Sequence, residues 1–228
     1  MKYPPSHCLS LFGFCFLTLM LFGCEKSDSK EDERDELSEI DKDKMKTFNS
    51  QLNGALVGEM KNWEEHWAVD LGDFGADDFK LVMTDTIDPM EMPERNPILK
   101  SDPLYPYQLP QPNGNGTMDI FSYKIEAQDG LDQPYLNPDS EVVWYRKDGM
   151  KERLLFMGPS GMFEEGKWLN GNEFLVLGYF QEEVGYRPMA WIVDVESHQL
   201  WQFQLNKVSD SYLPNSYLDA KIKQVELP

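Results

Sequence analysis

Four aspartates close together in the sequence are the first residues whose type and spacing point to a chemical role. They are Asp70, Asp73, Asp77 and Asp78, with two glycines among them. Carboxylate oxygens are ligands that Ca²⁺ prefers, so this group is a candidate calcium site. Its spacing does not match the alternating ligand positions of an EF-hand loop. A capped turn between a helix and a strand explains the same residues, and both interpretations stay open.

Nucleophilic catalysis has one candidate, the segment Gly158-Pro159-Ser160-Gly161. It superficially suggests the strained turn that presents the serine of a hydrolase with a GxSxG motif. Its proline and its spacing fit a plain turn, and no predicted helix follows to hold such an elbow. We therefore interpret Ser160 as a turn residue.

Acid–base chemistry by a pair of carboxylates cannot be judged from this sequence alone. A glycosidase needs two carboxylates about 5 to 10 Å apart. A chain with 40 Asp and Glu residues always offers such a pair, so its presence carries no information. We interpret Glu164-Glu165 and Glu182-Glu183 as solvated loop charges.

Metal and thiol chemistry have few residues to use. The cysteines are Cys8, Cys15 and Cys24, and His66 and His198 are the histidines that follow them. The sequence contains no HExxH motif, no paired-histidine spacing and no cysteine cluster. We expect His198 to lie in a solvated turn. The sequence predicts no cofactor, and no metal besides the calcium candidate.

The elements that position these residues begin with a helix. Apolar residues recur four, four, three and four positions apart, at Leu52, Leu56, Met60, Trp63 and Trp67. This spacing predicts a single amino-terminal helix that packs its aromatic face against the main domain. A β-strand is predicted over residues 79–86.

The segment from residue 88 to residue 116 contains seven of the 15 prolines. Neither a regular helix nor a central strand tolerates that density. We expect the segment to wrap around its own domain and to bury its Leu, Ile and Tyr side chains. The alternative is that Leu104-Tyr105-Pro106-Tyr107 presents a polyproline-type ligand to an aromatic groove.

The second half of the chain predicts antiparallel β-structure, because turn-forming residues separate its apolar runs. The predicted strands are residues 118–125, 141–146, 153–157, 174–180, 189–195 and 200–205. The runs 174–180 and 189–195 are apolar on both faces, so we predict a hairpin that is covered on both sides, with Trp191 deeply buried. Alternation of apolar residues with glutamines predicts a half-exposed edge strand at 200–205.

The stretches 119–157 and 168–205 repeat one pattern of strand, turn, aromatic strand, charged turn and strand. This pattern resembles successive blades of a β-propeller of the WD-repeat or TolB type, although Trp191 and Asp194 are not an adjacent Trp-Asp pair. Two blades cannot close a ring. We therefore expect a mainly β fold of antiparallel, blade-like meanders, stacked as a small sandwich or partial propeller. One amino-terminal helix and the proline-rich wrapping segment complete it.

The amino terminus has the pattern of an export signal. A basic start at Lys2 precedes an uncharged run, residues 9–22, that is too short to span about 30 Å of hydrocarbon comfortably. Leu21, Gly23 and Cys24 then resemble the lipobox of bacterial lipoproteins. The resemblance implies cleavage between Gly23 and Cys24, a diacylglycerol on the Cys24 thiol and acylation of its new amino group. The alternatives are an ordinary cleaved signal and an uncleaved amino-terminal anchor.

Residues 25–44 contain ten Asp and Glu, five Lys and Arg, and only two apolar residues. Such a composition predicts a disordered tether, because it buries too little apolar surface to offset the entropy of ordering. Its first acidic residues resemble the export signals that send some Gram-negative lipoproteins to the outer face of the outer membrane. The predicted organisation is a signal peptide at 1–23, a lipidated Cys24 with its tether at 24–44, and one β-rich domain at 45–228.

The formal net charge of −19 restricts the partners of this protein. An acidic surface repels nucleic acid, so we expect no nucleic-acid partner. We predict a lipid-anchored protein of the cell envelope, at the periplasmic or surface face of the outer membrane. Its β-rich domain is expected to bind an envelope protein or a glycan, or to have a structural role, without catalysis. The alternative is a lipid-anchored hydrolase that uses a glycosidase-like carboxylate pair on an envelope or extracellular polymer.

Overall fold

The structure is a computed structural model that describes residues 39–228, all within one compact unit. It begins with two helices, α1 (Glu39–Leu56) and α2 (Lys61–Leu71). The five residues of the predicted apolar stripe are all buried, but they lie on two helices and the turn between them. The prediction of one amino-terminal helix is therefore wrong. The amides of Gly58 and Met60 both donate to the Ala55 carbonyl, which closes the turn that ends α1.

The amino-terminal boundary of the folded part lies before residue 45. Residues 39–44, predicted as the end of the tether, form the beginning of α1. Lys44 pairs with Glu173, and its Nζ lies 4.0 Å from the centre of the Trp201 ring. The acidic composition did not indicate that these residues are ordered, because the contacts of Lys44 come from residues far along the chain. The rest of the tether, with Gly23 and Cys24, lies outside the described residues.

The described chain is mainly β, as predicted, with 12 strands that pair antiparallel. They are β1 (Phe79–Thr86), β2 (Met90–Pro93), β3 (Leu109–Pro110), β4 (Gly116–Asp119), β5 (Ile125–Glu126), β6 (Tyr135–Leu136), β7 (Ser140–Arg146), β8 (Met150–Met157), β9 (Gly161–Trp168), β10 (Glu173–Glu182), β11 (Gly185–Asp194) and β12 (Gln199–Leu205). A short helix, α3 (Ser216–Lys221), follows β12. No helix within residues 39–228 is long and apolar enough to cross a membrane.

The strands form two open five-stranded sheets and a small hairpin. The order is β1-β12-β11-β10-β9 in the first sheet and β2-β8-β7-β4-β3 in the second, while β5 pairs with β6. Phe48 of α1 stacks on Phe203 with ring centres 3.6 Å apart, so the amino-terminal helices cover one face of the first sheet. On the opposite face, Trp168 Nε1 donates to the Leu109 carbonyl of the second sheet at 2.9 Å. The result is a β-rich sandwich with a helical cover.

The predicted central hairpin is confirmed by the pairing of β10 with β11. Val176 lies opposite Trp191, and both are buried. The Trp191 ring meets Phe163 of β9 edge-to-face, with ring centres 5.1 Å apart. Because side chains alternate across a strand, the neighbouring Ala190 lies on the face that the helices cover. The hairpin is therefore covered on both sides.

Three strand predictions differ from the structure. The strand β12 is not an edge, because β1 pairs along its outer side. The predicted strand 118–125 ends at Asp119, whose Oδ1 accepts hydrogen bonds from the Phe121 and Ser122 amides at 2.9 Å and turns the chain. The strand β9 was not predicted, since its two adjacent glutamates suggested a solvated loop.

The proline-rich segment wraps along the domain. It contributes the edge strands β2 and β3 and a 3₁₀ turn at Tyr105–Tyr107. Leu104 is buried, and the Tyr107 ring meets Phe121 edge-to-face with ring centres 6.1 Å apart. Tyr105 is exposed, so the segment keeps one aromatic side chain at the surface.

Candidate ligand-binding cleft

A cleft of about 610 Å³ opens between the proline-rich segment and the β5–β6 hairpin, above β7 and β8. Its lining residues are Pro97, Ile98, Asp102, Pro103, Leu104, Ser122, Tyr123, Ile125, Glu126, Ala127, Gln128, Leu131, Asp132, Gln133, Pro134, Glu141, Tyr145, Lys151 and Val225. The volume falls in the range of small-molecule sites, and mostly apolar walls with a few polar groups are typical of such sites.

Side-chain turns fold one wall of this cleft, and a backbone hydrogen bond closes the other. In the proline-rich wall, Asn96 Oδ1 accepts from the Ile98 amide at 2.9 Å, and Asp102 Oδ1 accepts from the Leu104 amide at 2.8 Å. These side-chain turns bend a segment whose prolines exclude regular structure. In the other wall, the Asn137 amide donates to the Lys124 carbonyl at 2.9 Å and closes the β5–β6 hairpin.

The floor of the cleft carries Glu141 and Tyr145, which β7 places four residues apart on one face. The Glu141 side chain is 8% exposed, and its carboxylate lies 3.9 Å from Arg153 Nη1. Within the described part of the chain, no hydrogen bond reaches this carboxylate or the Tyr145 hydroxyl. Both groups are therefore available to a ligand.

Burial dominates the electrostatics of this floor. It raises the pKa of Glu141 above its ordinary value, and the positive charges of Lys151 and Arg153 offset part of that shift. Burial also raises the pKa of Tyr145, so its phenol stays protonated at neutral pH and can donate a hydrogen bond. Three more acidic residues, Asp102, Glu126 and Asp132, lie less buried in the cleft lining. The cleft is thus acidic, with apolar walls.

A second group of charged residues lies where the two sheets meet. The buried carboxylate of Glu152, on β8, lies 2.5 Å from Arg146 Nη1 and 3.1 Å from His198 Nε2. His198 adopts a left-handed conformation with a φ of 56°, and its carbonyl accepts from the Ile87 amide at 2.8 Å. The prediction of a turn at His198 is right, but this turn is paired and half-buried. The group links the second sheet to the β11–β12 turn of the first.

The prediction of solvated loop charges is wrong for Glu164 and Glu165, which are both buried in β9. A β-bulge in the pairing of β9 with β10 interrupts the alternation of side chains at this point. Glu164 Oε2 therefore accepts from the indoles of Trp63 and Trp67 at 2.9 and 3.0 Å, and its Oε1 accepts from the Tyr212 hydroxyl.

Glu165 connects β9 to α3. Its Oε2 accepts from the Tyr217 hydroxyl at 2.6 Å and pairs with Lys221 Nζ at 2.5 Å. Burial raises the pKa of the neighbouring Glu164 to about 7. Glu164 is fully buried between α2 and the first sheet, and its carboxylate accepts three hydrogen bonds from the protein itself. Its raised pKa therefore does not mark a ligand site. We assign a structural role to both carboxylates.

The four candidate calcium aspartates lie around the turn between α2 and β1. Asp70 and Asp73 are exposed, Asp77 Oδ1 accepts from Asn49 Nδ2 at 2.9 Å, and Asp78 Oδ2 accepts from the Gly75 amide at 2.9 Å. The bond of Asp78 is that of a capped turn, and the bond of Asp77 ties the turn to α1. Among residues 39–228, no group of three or more His, Cys, Asp or Glu side chains is arranged to hold a metal ion.

The other candidate residues take simple roles. Ser160 lies in the turn between β8 and β9, where its carbonyl accepts from the Gln181 amide at 2.6 Å, and a strand rather than a helix follows. His66 pairs with Ser216 Oγ at 2.9 Å, and burial lowers the pKa of its imidazole. Glu182 pairs with Arg187 across the central hairpin at 2.5 Å.

Sequence reasoning missed the floor of the cleft, although the signal was present. Glu141 begins the predicted strand 141–146, where an alternating pattern places it on the same face as Tyr145. A carboxylate inside a Val- and Trp-rich strand is unusual enough to single out. Its neighbours across the cleft come from distant segments, so no local pattern indicates a pocket.

Comparisons with protein-family models, with curated proteins and with solved structures found no match for this chain. The cleft and the sequence features of the amino terminus are therefore the features that bear on function.

Proposed function

We propose that this protein is a lipid-anchored component of the cell envelope, at the outer membrane, whose β-rich domain binds a ligand in the cleft without transforming it. The cleft between the proline-rich segment and the β5–β6 hairpin is the observation that carries this proposal. The lipobox-like residues Leu21, Gly23 and Cys24 support the anchor.

The composition of the cleft favours binding over hydrolysis. A glycosidase needs two carboxylates that flank the scissile bond. The floor holds one buried carboxylate, Glu141, while Asp102, Glu126 and Asp132 are more exposed. Glu164, a carboxylate whose pKa burial raises to about 7, is closed off by its three hydrogen-bond donors. We therefore place hydrolysis second.

We also propose that the two meanders are blade-like units of a partial propeller. The sequential order of β9 to β12 in the first sheet and the neighbouring β7 and β8 in the second support this proposal. A solved relative with additional blades would test it.

The anchor is tested by expression of the full chain in a Gram-negative host. We expect the wild-type protein to lose residues 1–23 and to gain the mass of a lipidated cysteine in the membrane fraction. Cys24→Ser should stay uncleaved or soluble. Cys15→Ser is the matched control and should behave as wild type. A Cys24→Ser protein that is still lipidated and membrane-bound would refute the anchor.

The cleft is tested by ligand-detected NMR on the full chain in lipid nanodiscs, with small neutral, anionic and cationic fragments. We expect some of them to bind, and Ala127→Trp, which adds bulk to the cleft wall, to weaken binding at least about tenfold. Val57→Trp, at an exposed position of the α1–α2 turn, should leave it unchanged. Binding that survives Ala127→Trp, or no binding at all, counts against the proposal.

A further inference from the structure

The floor of the cleft presents two polar groups that other parts of the described chain leave without hydrogen bonds. The Glu141 side chain is 8% exposed, so burial reduces the hydration of its carboxylate while no donor of the described chain replaces the lost hydrogen bonds. We propose that the cleft binds a ligand that carries a primary ammonium group on a short alkyl chain, with the ammonium at the Glu141 carboxylate and the Tyr145 hydroxyl as a second acceptor on the same floor. This inference rests on the proposed function, since it names the ligand class of the same cleft.

The cations already near the floor leave Glu141 incompletely paired. Arg153 Nη1 stays 3.9 Å from the Glu141 carboxylate, beyond hydrogen-bond distance, and its guanidinium lies 4.9 Å from the centre of the Phe156 ring. Lys151 Nζ donates to Glu94 at 3.3 Å. The carboxylate of Glu141 is therefore left with an incomplete partner, which a ligand cation can complete.

The charges around the cleft also favour a positively charged ligand. Asp102, Glu126 and Asp132 line the cleft above its floor, and the protein has a net charge of −19. A concave site lined by one sign of charge concentrates ions of the opposite sign. Among the described residues that line the cleft, the one cation is Lys151, and it is already paired with Glu94. The cleft therefore favours cations.

The walls specify the rest of the ligand. Ile98, Leu104, Ile125 and Leu131 supply apolar surface above the floor, so an alkyl chain gains by burial while its charged end reaches Glu141. An ammonium is a compact charge with three donors, which suits two separate acceptors. A guanidinium presents a planar fork that suits one coplanar carboxylate better. The aminoalkyl group has two sources, a free alkylamine or a lysine side chain of a peptide.

The pH dependence of binding follows from the floor. Burial raises the pKa of Glu141, Lys151 and Arg153 on β8 lower it in part, and Asp119 on β4 and Glu94 after β2 raise it again. An alkylammonium stays protonated up to about pH 10. Amine binding is therefore expected to be complete above the pKa of Glu141 and to be lost as the pH falls through it. That midpoint should lie above the ordinary value of 4.5.

The experiment measures binding of four probes to the full chain in lipid nanodiscs by NMR. The probes are 1,5-diaminopentane, Nα-acetyl-lysine methylamide, the neutral 1,5-pentanediol and the anionic glutarate. We expect at least one amine to bind and the diol and glutarate not to bind. Preference for the lysine amide indicates a peptide source, and preference for the diamine indicates a free amine. Either preference supports the inference.

Two variants test the role of the floor. Glu141→Gln keeps the shape and removes the charge, and it should weaken amine binding at least about tenfold. Tyr145→Phe should weaken it several-fold. Glu65→Gln, on the exposed face of α2, changes the net charge equally and should have no effect. If Glu141→Gln fails to fold, the pH profile of the wild-type protein decides the same question.

The outcomes separate the two proposals. If the diol or glutarate binds in the cleft and neither amine does, the inference is overturned while the proposed function stands. If no probe or fragment binds there, both are overturned. Amine binding that is unchanged in Glu141→Gln, or that persists below pH 4.5, also overturns the inference.

Discussion

Glu164 of β9 accepts a hydrogen bond from the Trp67 indole at 3.0 Å, in a layer where both side chains are fully buried. The two residues are 97 positions apart in the chain. This contact fastens α2 to the first sheet, together with the second indole of Trp63. It also places an ionisable group where ionisation is costly.

Stability should therefore depend on the ionisation of Glu164. Its pKa is raised to about 7 in the folded protein from an ordinary value of 4.5. The folded state thus binds the proton more tightly than the unfolded state does. The contribution of Glu164 is fully present below about pH 4.5 and is lost as the pH rises through about 7, by on the order of 3 kcal/mol.

Urea unfolding at several pH values tests this expectation. Glu164→Gln should flatten the decrease in the free energy of unfolding between pH 4.5 and 7. Glu65→Gln, an exposed position on α2, is the control and should keep the wild-type profile. An unchanged slope in Glu164→Gln would show that another group carries the pH dependence.

The second prediction concerns the central hairpin. Trp191 is buried against Phe163 of β9, so Trp191→Ala should cost about 3 to 5 kcal/mol of unfolding free energy. Phe180→Ala removes a 43% exposed aromatic side chain from β10 of the same hairpin and should cost less than about 1.5 kcal/mol. Urea denaturation measures both. A loss below about 1 kcal/mol for Trp191→Ala would contradict its role in the core.

The third prediction concerns the beginning of α1. Lys44 pairs with Glu173 and lies over the Trp201 ring, with only 10% of its side chain exposed. Lys44→Met should therefore cost about 1 to 2 kcal/mol, from the loss of a sheltered cation–π contact and an ion pair. Lys46→Met, at an exposed position two residues later, should be neutral. If the two variants have equal melting temperatures, Lys44 does not stabilise the fold. The folded part would then begin after residue 44, as the composition suggested.

The features that depend on local pattern could be predicted from the sequence. The hairpin of β10 and β11 follows from two apolar runs with a polar connection, and the strand at Phe79–Thr86 matches its predicted bounds. The edge prediction for β12 failed because β1 covers its outer side, with Phe79 paired to Leu205, 126 residues away in the sequence. Nothing local in β12 reports that partner.

The buried charges could not be predicted for the same reason. Glu164 and Glu165 read as solvated because two adjacent carboxylates are seldom buried. Their burial requires two indoles, two tyrosine hydroxyls and a lysine that arrive from other elements. The cleft likewise needs the proline-rich segment, the β5–β6 hairpin and β7 to meet. Such sites exist only after the chain has folded.

The bond from two indoles to one carboxylate has an optical consequence. A negative charge beside the pyrrole nitrogen shifts the electronic transitions of an indole, and Trp63 and Trp67 both donate to the same oxygen of Glu164. Loss or gain of a single proton on that carboxylate should therefore alter the ultraviolet emission of two of the six tryptophans. The protein carries its own spectroscopic indicator for the interior between α2 and the first sheet.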